Sequence, residues 1–136
     1  MYAIIETGGK QYRVTDGDVI EYTLDMPVRF VQANPKVRQC CGRVAVQRGP
    51  VVYCAEGQNN DFSVMTFRLD TESQINEVYS DVYGTYTLVA NGRIPVENTQ
   101  LYSRTKEKML PAKINLIPYF AFANNGESDM EVFLYY

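Results

Sequence analysis

Turn punctuation constrains this chain more than any other feature of its sequence. "TGGK" at 7–10, "TDGD" at 15–18, "QANP" at 32–35, "RGP" at 48–50, "GQNND" at 57–61, "NG" at 91–92 and "NNGESD" at 124–129 interrupt it at short intervals. Glycine, Asn and Asp tolerate the backbone angles of tight turns, and proline fixes the chain direction. The stretches between these signals are of strand length, and most alternate apolar with polar residues. Many short strands between frequent turns predict an all-β domain, an antiparallel β-sandwich or barrel, with a jelly-roll-like sandwich as the favoured reading. Eleven tyrosines and six phenylalanines suit such a chain, because aromatic rings pack on pleated, half-buried faces.

Each stretch carries its own pattern. "YAIIE" and "QYRV" flank "TGGK" as a hairpin, and "VIEYTLDM" alternates as a strand that stops at Pro27. "GRVAVQ" and "VVYCAE" form a second hairpin about "RGP". "VMTFRL" is expected to set Met65, Phe67 and Leu69 on one face. In "TESQINEVYSDVYG", Ile75, Val78, Tyr79 and Val82 fit a short helical turn. "TYTLVA" is expected to turn at "NG" into "RIPV", and "NTQLYSRTKEKMLPAK" reads as a loop. "INLIPYFAFA" is a strand bent at Pro118, since proline donates nothing to a ladder. "MEVFLYY" ends the chain as a strand with Met130, Val132 and Leu134 on one face.

Composition narrows function mainly by exclusion. At 136 residues the chain has the size of one domain with a usable core. The net charge of −3 lacks the basic excess with which nucleic-acid binders neutralise phosphates. There is no histidine, which removes the commonest general base, the Ser-His and Cys-His pairs and imidazole metal ligands. There is no tryptophan for stacking on sugars. No apolar run is long enough to span a bilayer, and "MYAIIETGGK" lacks the basic and apolar regions of a secretory signal. Taken as written, the chain is expected in the cytoplasm.

Two resemblances divide the sequence. "MYAIIETGGKQYRV" followed by "GDVI" resembles the start of bacterial large-subunit ribosomal protein number twenty-one, a family that binds ribosomal RNA through a small β-barrel and basic extensions. The match covers Met1 to about Ile20. It contains Lys10 and Arg13 against Glu6, Asp16 and Asp18, and the family's basic second half is absent.

From "DGDVIEYTLDMPVRFVQANPKVRQCCGRVAVQRGPVVYCAEG" onward, the chain resembles the C-terminal β-sandwich of glycoside hydrolase family 127, the β-L-arabinofuranosidase-like enzymes. "MPVR", "NPKVR" and "GRVAVQRGPVVYC" carry the first block, and "LIPYFAFANNG" at 116–126 carries a second. Phe122 and Asn125 stand where that family often has tryptophan and arginine. The expected organisation is therefore a ribosomal-protein-like hairpin segment over 1–20 and an accessory sandwich domain over 21–136.

The second resemblance implies that catalysis lies elsewhere. In that family a separate helical barrel holds a zinc-bound cysteine nucleophile and a glutamate acid/base. No long helical pattern occurs here. The resemblance therefore implies a non-catalytic accessory domain with no catalytic, cofactor-binding or metal-ligating residue. Its partner would be the catalytic helical barrel of a parent glycosidase or a second copy of itself. RNA is the less favoured partner and a membrane is not expected. A ribosomal RNA-binding protein and a free-standing carbohydrate-binding module are the alternatives.

Cys40, Cys41, Cys54 and Glu56 match that family's zinc ligands in composition but not in context. In an extended strand Cys40 and Cys41 point to opposite faces, so one ion reaches both only if "CCG" turns. If the hairpin turns at Arg48–Gly49, Arg43 faces Cys54 and Cys41 lies diagonal to it. The favoured reading is three ordinary buried or edge thiols, with a disulfide or a metal site as alternatives. Lys36, Arg38, Arg43 and Arg48, with no acid between them, read first as a solvated hairpin edge and second as a docking face. Asp61, Asp70, Glu72 and Asp81 lie in polar turns unlike a glycosidase's facing carboxyl pair. Tyr119, Phe120 and Phe122 read as core aromatics rather than a sugar platform.

Overall fold

The computed structural model describes residues 1–97 and 99–136. Their regular structure is strands and short 3-10 turns: β1 (Tyr2–Thr7), β2 (Lys10–Thr15), β3 (Val28–Gln32), β4 (Arg43–Arg48), β5 (Val51–Glu56), β6 (Arg68–Leu69), β7 (Asn76–Ser80), β8 (Thr85–Pro95), β9 (Met109–Pro118), β10 (Met130–Glu131) and β11 (Phe133–Tyr135). The loop expected over 98–113 begins at Asn98, outside the described residues, and its far end is already strand, since β9 starts at Met109.

The architecture turns on the hairpin of β4 and β5. Gly49 and Pro50 form its two-residue loop, with Gly49 at φ 53° and its N–H on the Pro27 carbonyl at 3.2 Å. The two strands pair only at Arg48–Val51 and Gln47–Val52 and then separate. The end of the chain fills the gap. β10 runs antiparallel to β5, and β11 runs antiparallel to β4. On its other side β5 pairs with β9, and β9 forms a long hairpin ladder with β8 from Leu88–Leu116 to Pro95–Met109. β8 continues to β6, and β6 meets β11 in a parallel pair, Arg68 with Tyr135.

The path β5–β9–β8–β6–β11–β4 thus returns to β5 and closes a six-stranded mixed barrel, flanked by β3, β7 and β10. This corrects the expected antiparallel sandwich of jelly-roll type. The C-terminal strand joins the two arms of a splayed hairpin, so one ladder closes on itself where two facing sheets were expected. Closure removes edges that a sandwich leaves open.

The core follows the pleat. Val44 and Val46, Tyr53 and Ala55, Leu88 and Ala90, and Ile114 and Leu116 alternate inward from four strands, joined by Val64, Phe67, Leu69 and Leu134. Cys54 and Ile117 point from β5 and β9 to the opposite side, where Ala121 completes a second, smaller cluster. From Tyr53 to Glu56, β5 is therefore covered on both faces.

Several local expectations change with this packing. "NG" at 91–92 is not a turn: β8 runs straight through it, and Gly92 sits where a Cβ would overlap the Phe67 ring and the Arg68 carbonyl. The segment read as a helical turn is the edge strand β7, its Tyr79 set edge-on to Tyr86 of β8 at 5.4 Å. "VMTFRL" begins as a 3-10 turn, Val64–Thr66, so Val64 is buried and Met65 exposed, with strand only at Arg68–Leu69. "VIEYTLDM" has no ladder partner, and Val19, Ile20, Tyr22 and Leu24 are exposed. "MEVFLYY" splits at Val132 because its halves serve different strands: Met130 and Val132 pack in the smaller cluster and Leu134 in the main one. Among the described residues β1 and β2 pair only with each other, as a two-stranded sheet of their own.

Candidate functional site

The fold divides the four candidate metal ligands into two separate pairs. Cys40 closes a 3-10 turn, and Cys41 follows it with its N–H on the Arg38 carbonyl at 3.2 Å. "CCG" therefore does turn, with Gly42 at φ 69°, and both cysteines line one shallow cavity of about 240 Å³ with Gln32, Asn34 and Tyr136. The Cys41 thiol lies 3.8 Å from the Pro35 carbonyl and 3.9 Å from that of Val37. Cys54 does not face this pair. β4 and β5 have parted before reaching it, and its ladder partner is Ile117. The expected diagonal of Cys41 with Cys54 is thereby corrected, and all three thiols are free. Among the described residues no three Cys, Asp or Glu side chains group as metal ligands do.

Glu56 follows Cys54 by two residues and shares its side of β5. It is 1% exposed, a buried carboxylate at the end of an apolar strand. Its Oε1 accepts the Ala123 N–H at 2.7 Å and its Oε2 accepts the Asn59 amide at 2.9 Å, so both oxygens are bonded. Asn60 continues the network, donating to the Glu56 and Asn115 carbonyls and accepting the Asn115 N–H at 2.8 Å. Burial pushes the Cys54 thiol up to about 12, and the charge of Glu56 adds to the shift.

Glu56 thereby fixes the loop that carries the second resemblance block. β9 ends at Pro118, Tyr119–Ala121 make a 3-10 turn, and Ala123 takes φ 63°, the left-handed region that favours glycine. Ala121 is buried beneath the loop. Tyr119 and Phe120 are not core residues as expected: they are 49% and 66% exposed. The 3-10 turn breaks the strand alternation and swings both rings outward. Phe122 is half-buried, its ring within 2° of parallel to Tyr119 with centroids 6.4 Å apart.

The basic stretch is divided in the same way. Arg43 bonds Glu131 at 3.1 Å and the Tyr135 hydroxyl at 2.6 Å, and Arg68 covers the same ring from 4.4 Å. The bond that Arg43 donates to the Tyr135 hydroxyl, opposed by burial and aided by Glu131, raises the guanidinium above its ordinary range. Arg48 bonds Glu77 at 2.5 Å and lies over the Tyr86 ring. These two arginines tie elements of the barrel together and form neither a solvated edge nor a free cationic face. Lys36 and Arg38 alone stay exposed. Of the acids, Asp61, Glu72 and Asp81 are exposed, and Asp70 accepts the Glu72 N–H at 3.0 Å in a local turn.

Sequence reasoning missed the role of Glu56. The signal was present in "VVYCAEG", where a carboxylate continues a strand apolar on both faces. Its partner Ala123 is 67 residues away and carries no signal of its own.

Comparison with known proteins agrees with this architecture. The profile of the glycoside hydrolase family 127 C-terminal domain matches residues 28–135, nearly the whole barrel with β3. A non-reducing end β-L-arabinofuranosidase of Bifidobacterium longum is 34% identical across 95% of this chain and 21% of its own length. Two solved family 127 arabinofuranosidases superpose. One, from Geobacillus stearothermophilus, has TM-score 0.75 at 30% identity, over 79% of this chain and 18% of that one. The other has TM-score 0.77 at 37% identity, over 92% and 19%. The chain belongs to the glycoside hydrolase family 127 C-terminal domain family, and it spans about a fifth of the length of these relatives.

The profile of the ribosomal prokaryotic L21 protein matches residues 1–33. The large ribosomal subunit protein of that kind from Natranaerobius thermophilus is 76% identical over 21 residues, 15% of this chain and 20% of its own. The Bifidobacterium alignment leaves too little of the chain uncovered to exclude this hairpin, so the two likenesses overlap at the front.

Proposed function

We propose that this chain is a non-catalytic accessory domain that packs against the remainder of a β-L-arabinofuranosidase-like glycoside hydrolase. One observation carries the reading: the family profile covers residues 28–135, yet the chain matches only about a fifth of enzymes named for arabinofuranoside hydrolysis. The barrel's charged groups support it. Arg43, Arg48, Glu56, Glu77 and Glu131 are bonded to one another or to neighbouring backbone and amides, an arrangement that holds strands together.

The test is turnover of p-nitrophenyl β-L-arabinofuranoside by the isolated chain. The expected rate equals the buffer blank. Turnover that disappears in Cys40→Ser or Cys41→Ser overturns the proposal.

A further inference from the structure

Tyr119 and Phe120 present two exposed rings on a backbone held rigidly from beneath. Pro118 is buried against β5, opposite Tyr53. The Phe122 N–H bonds the Tyr119 carbonyl at 3.1 Å, and Asn124 and Gly126 bond back to Ala121 and Ala123 at 3.3 Å each. Glu56 holds Ala123 at φ 63° from below. A left-handed non-glycine residue persists only where its surroundings over-determine it. Leu101 and Tyr102, each 92% exposed, lie beside the bond of Ser103 to Thr105. Aromatic side chains on a pre-organised backbone lose little conformational entropy when covered, which makes them effective anchors of an interface.

We propose that Tyr119, Phe120 and the half-buried Phe122 form the surface against which the rest of a family 127 enzyme packs. The inference rests on the accessory-domain reading and adds the contact face. Two observations select this occupant. About four-fifths of each relative lies outside the matched region, so in those enzymes a large body of the same protein accompanies the matching domain. Three amides of the loop and its neighbouring segments are also engaged within the protein: Gln58 with the Glu127 carbonyl, Asn59 with Glu56, and Asn125 with the Tyr83 hydroxyl. A sugar platform needs such groups free beside its rings to meet hydroxyls.

The test co-expresses the full chain, tagged, with the Bifidobacterium longum arabinofuranosidase lacking its matched C-terminal fifth. The wild-type chain is expected to co-purify with it. Tyr119→Ser/Phe120→Ser is expected to reduce recovery at least tenfold, while Leu101→Ser/Tyr102→Ser leaves it unchanged; both variants should unfold at the wild-type urea midpoint, since the replaced side chains are exposed. If Tyr119→Ser/Phe120→Ser co-purifies like the wild type, the contact face is wrong and the accessory reading survives. If the folded wild-type chain does not co-purify, that reading fails and the contact face with it. Sedimentation of the chain alone should show a monomer; a dimer dissolved by Tyr119→Ser/Phe120→Ser would assign the surface to a second copy. Titration with arabino-oligosaccharide should leave tyrosine fluorescence unchanged; a saturable change lost in the same variant would assign the surface to a glycan.

Discussion

The buried carboxylate of Glu56 accepts the backbone N–H of Ala123 at 2.7 Å, joining the end of β5 to a loop 67 residues further along the chain. This bond and the Asn59 amide satisfy both carboxylate oxygens. Glu56→Ala removes the acceptors and leaves two donors without them. The expected loss is about 3–6 kcal/mol, since each of the two bonds to the charged group contributes roughly 1.5–3 kcal/mol. Urea denaturation measures it. A midpoint unchanged from wild type would show that the loop is held by something else.

Gly92 permits β8 to pass against Phe67 and Arg68. Gly92→Ala puts a methyl group where the ring and a carbonyl already lie, and neither is a flexible chain end. The expected cost is about 2–3 kcal/mol, the upper part of the range for overpacked cores. Gly84, with φ 62° but open space around it, is expected to lose only about 1 kcal/mol on substitution by Ala, from backbone strain. Equal denaturation midpoints for the two variants would contradict the packing argument.

The Cys54 thiol ionises near pH 12 in the folded chain and near its ordinary 9 once unfolded. Above pH 9 the unfolded state therefore binds fewer protons than the folded one, so stability falls as pH rises from 9 toward 12. Burial raises the Tyr53 hydroxyl from 10, which acts in the same direction. Cys54→Ala should flatten the alkaline fall without abolishing it. In thiol titration of the native chain with Ellman's reagent at pH 8, Cys41 should react first and Cys54 only on unfolding, as their exposures require. Prompt reaction of all three thiols would refute the buried placement.

β1 and β2 pair only with each other, and Tyr2, Ile4 and Tyr12 are exposed. Deleting residues 1–17 keeps Met26 and Pro27, which contact the β4–β5 turn through Arg48 and Gly49. The truncated barrel is expected to melt within about 3 °C of the full chain, a difference of less than about 1 kcal/mol. A larger drop would show that the hairpin is part of the barrel's cooperative unit.

Legibility in the sequence followed the range of the interactions. The hairpins at "TGGK" and "RGP" were readable because turn and strands are contiguous. "NG" misled because the same dipeptide serves a turn or a close approach, and only Phe67, 25 positions away, decides between them. Tyr119 and Phe120 read as core because alternation was extended beyond Pro118, where the backbone leaves the strand for a 3-10 turn.

The sequence by itself determined that this protein is all-β, that hairpins lie at "TGGK" and "RGP", and to which family it belongs, since these depend on neighbouring residues and on contiguous motifs. The tertiary structure alone decided that the strands close into a barrel, that Glu56 is buried beneath a loop, and that two aromatic rings face outward. The C-terminal strand pairs β11 with β4 some ninety positions away, as in Tyr135 with Arg43. Alternation in "MEVFLYY" records which side chains share a face; it does not record which distant strand that face will meet.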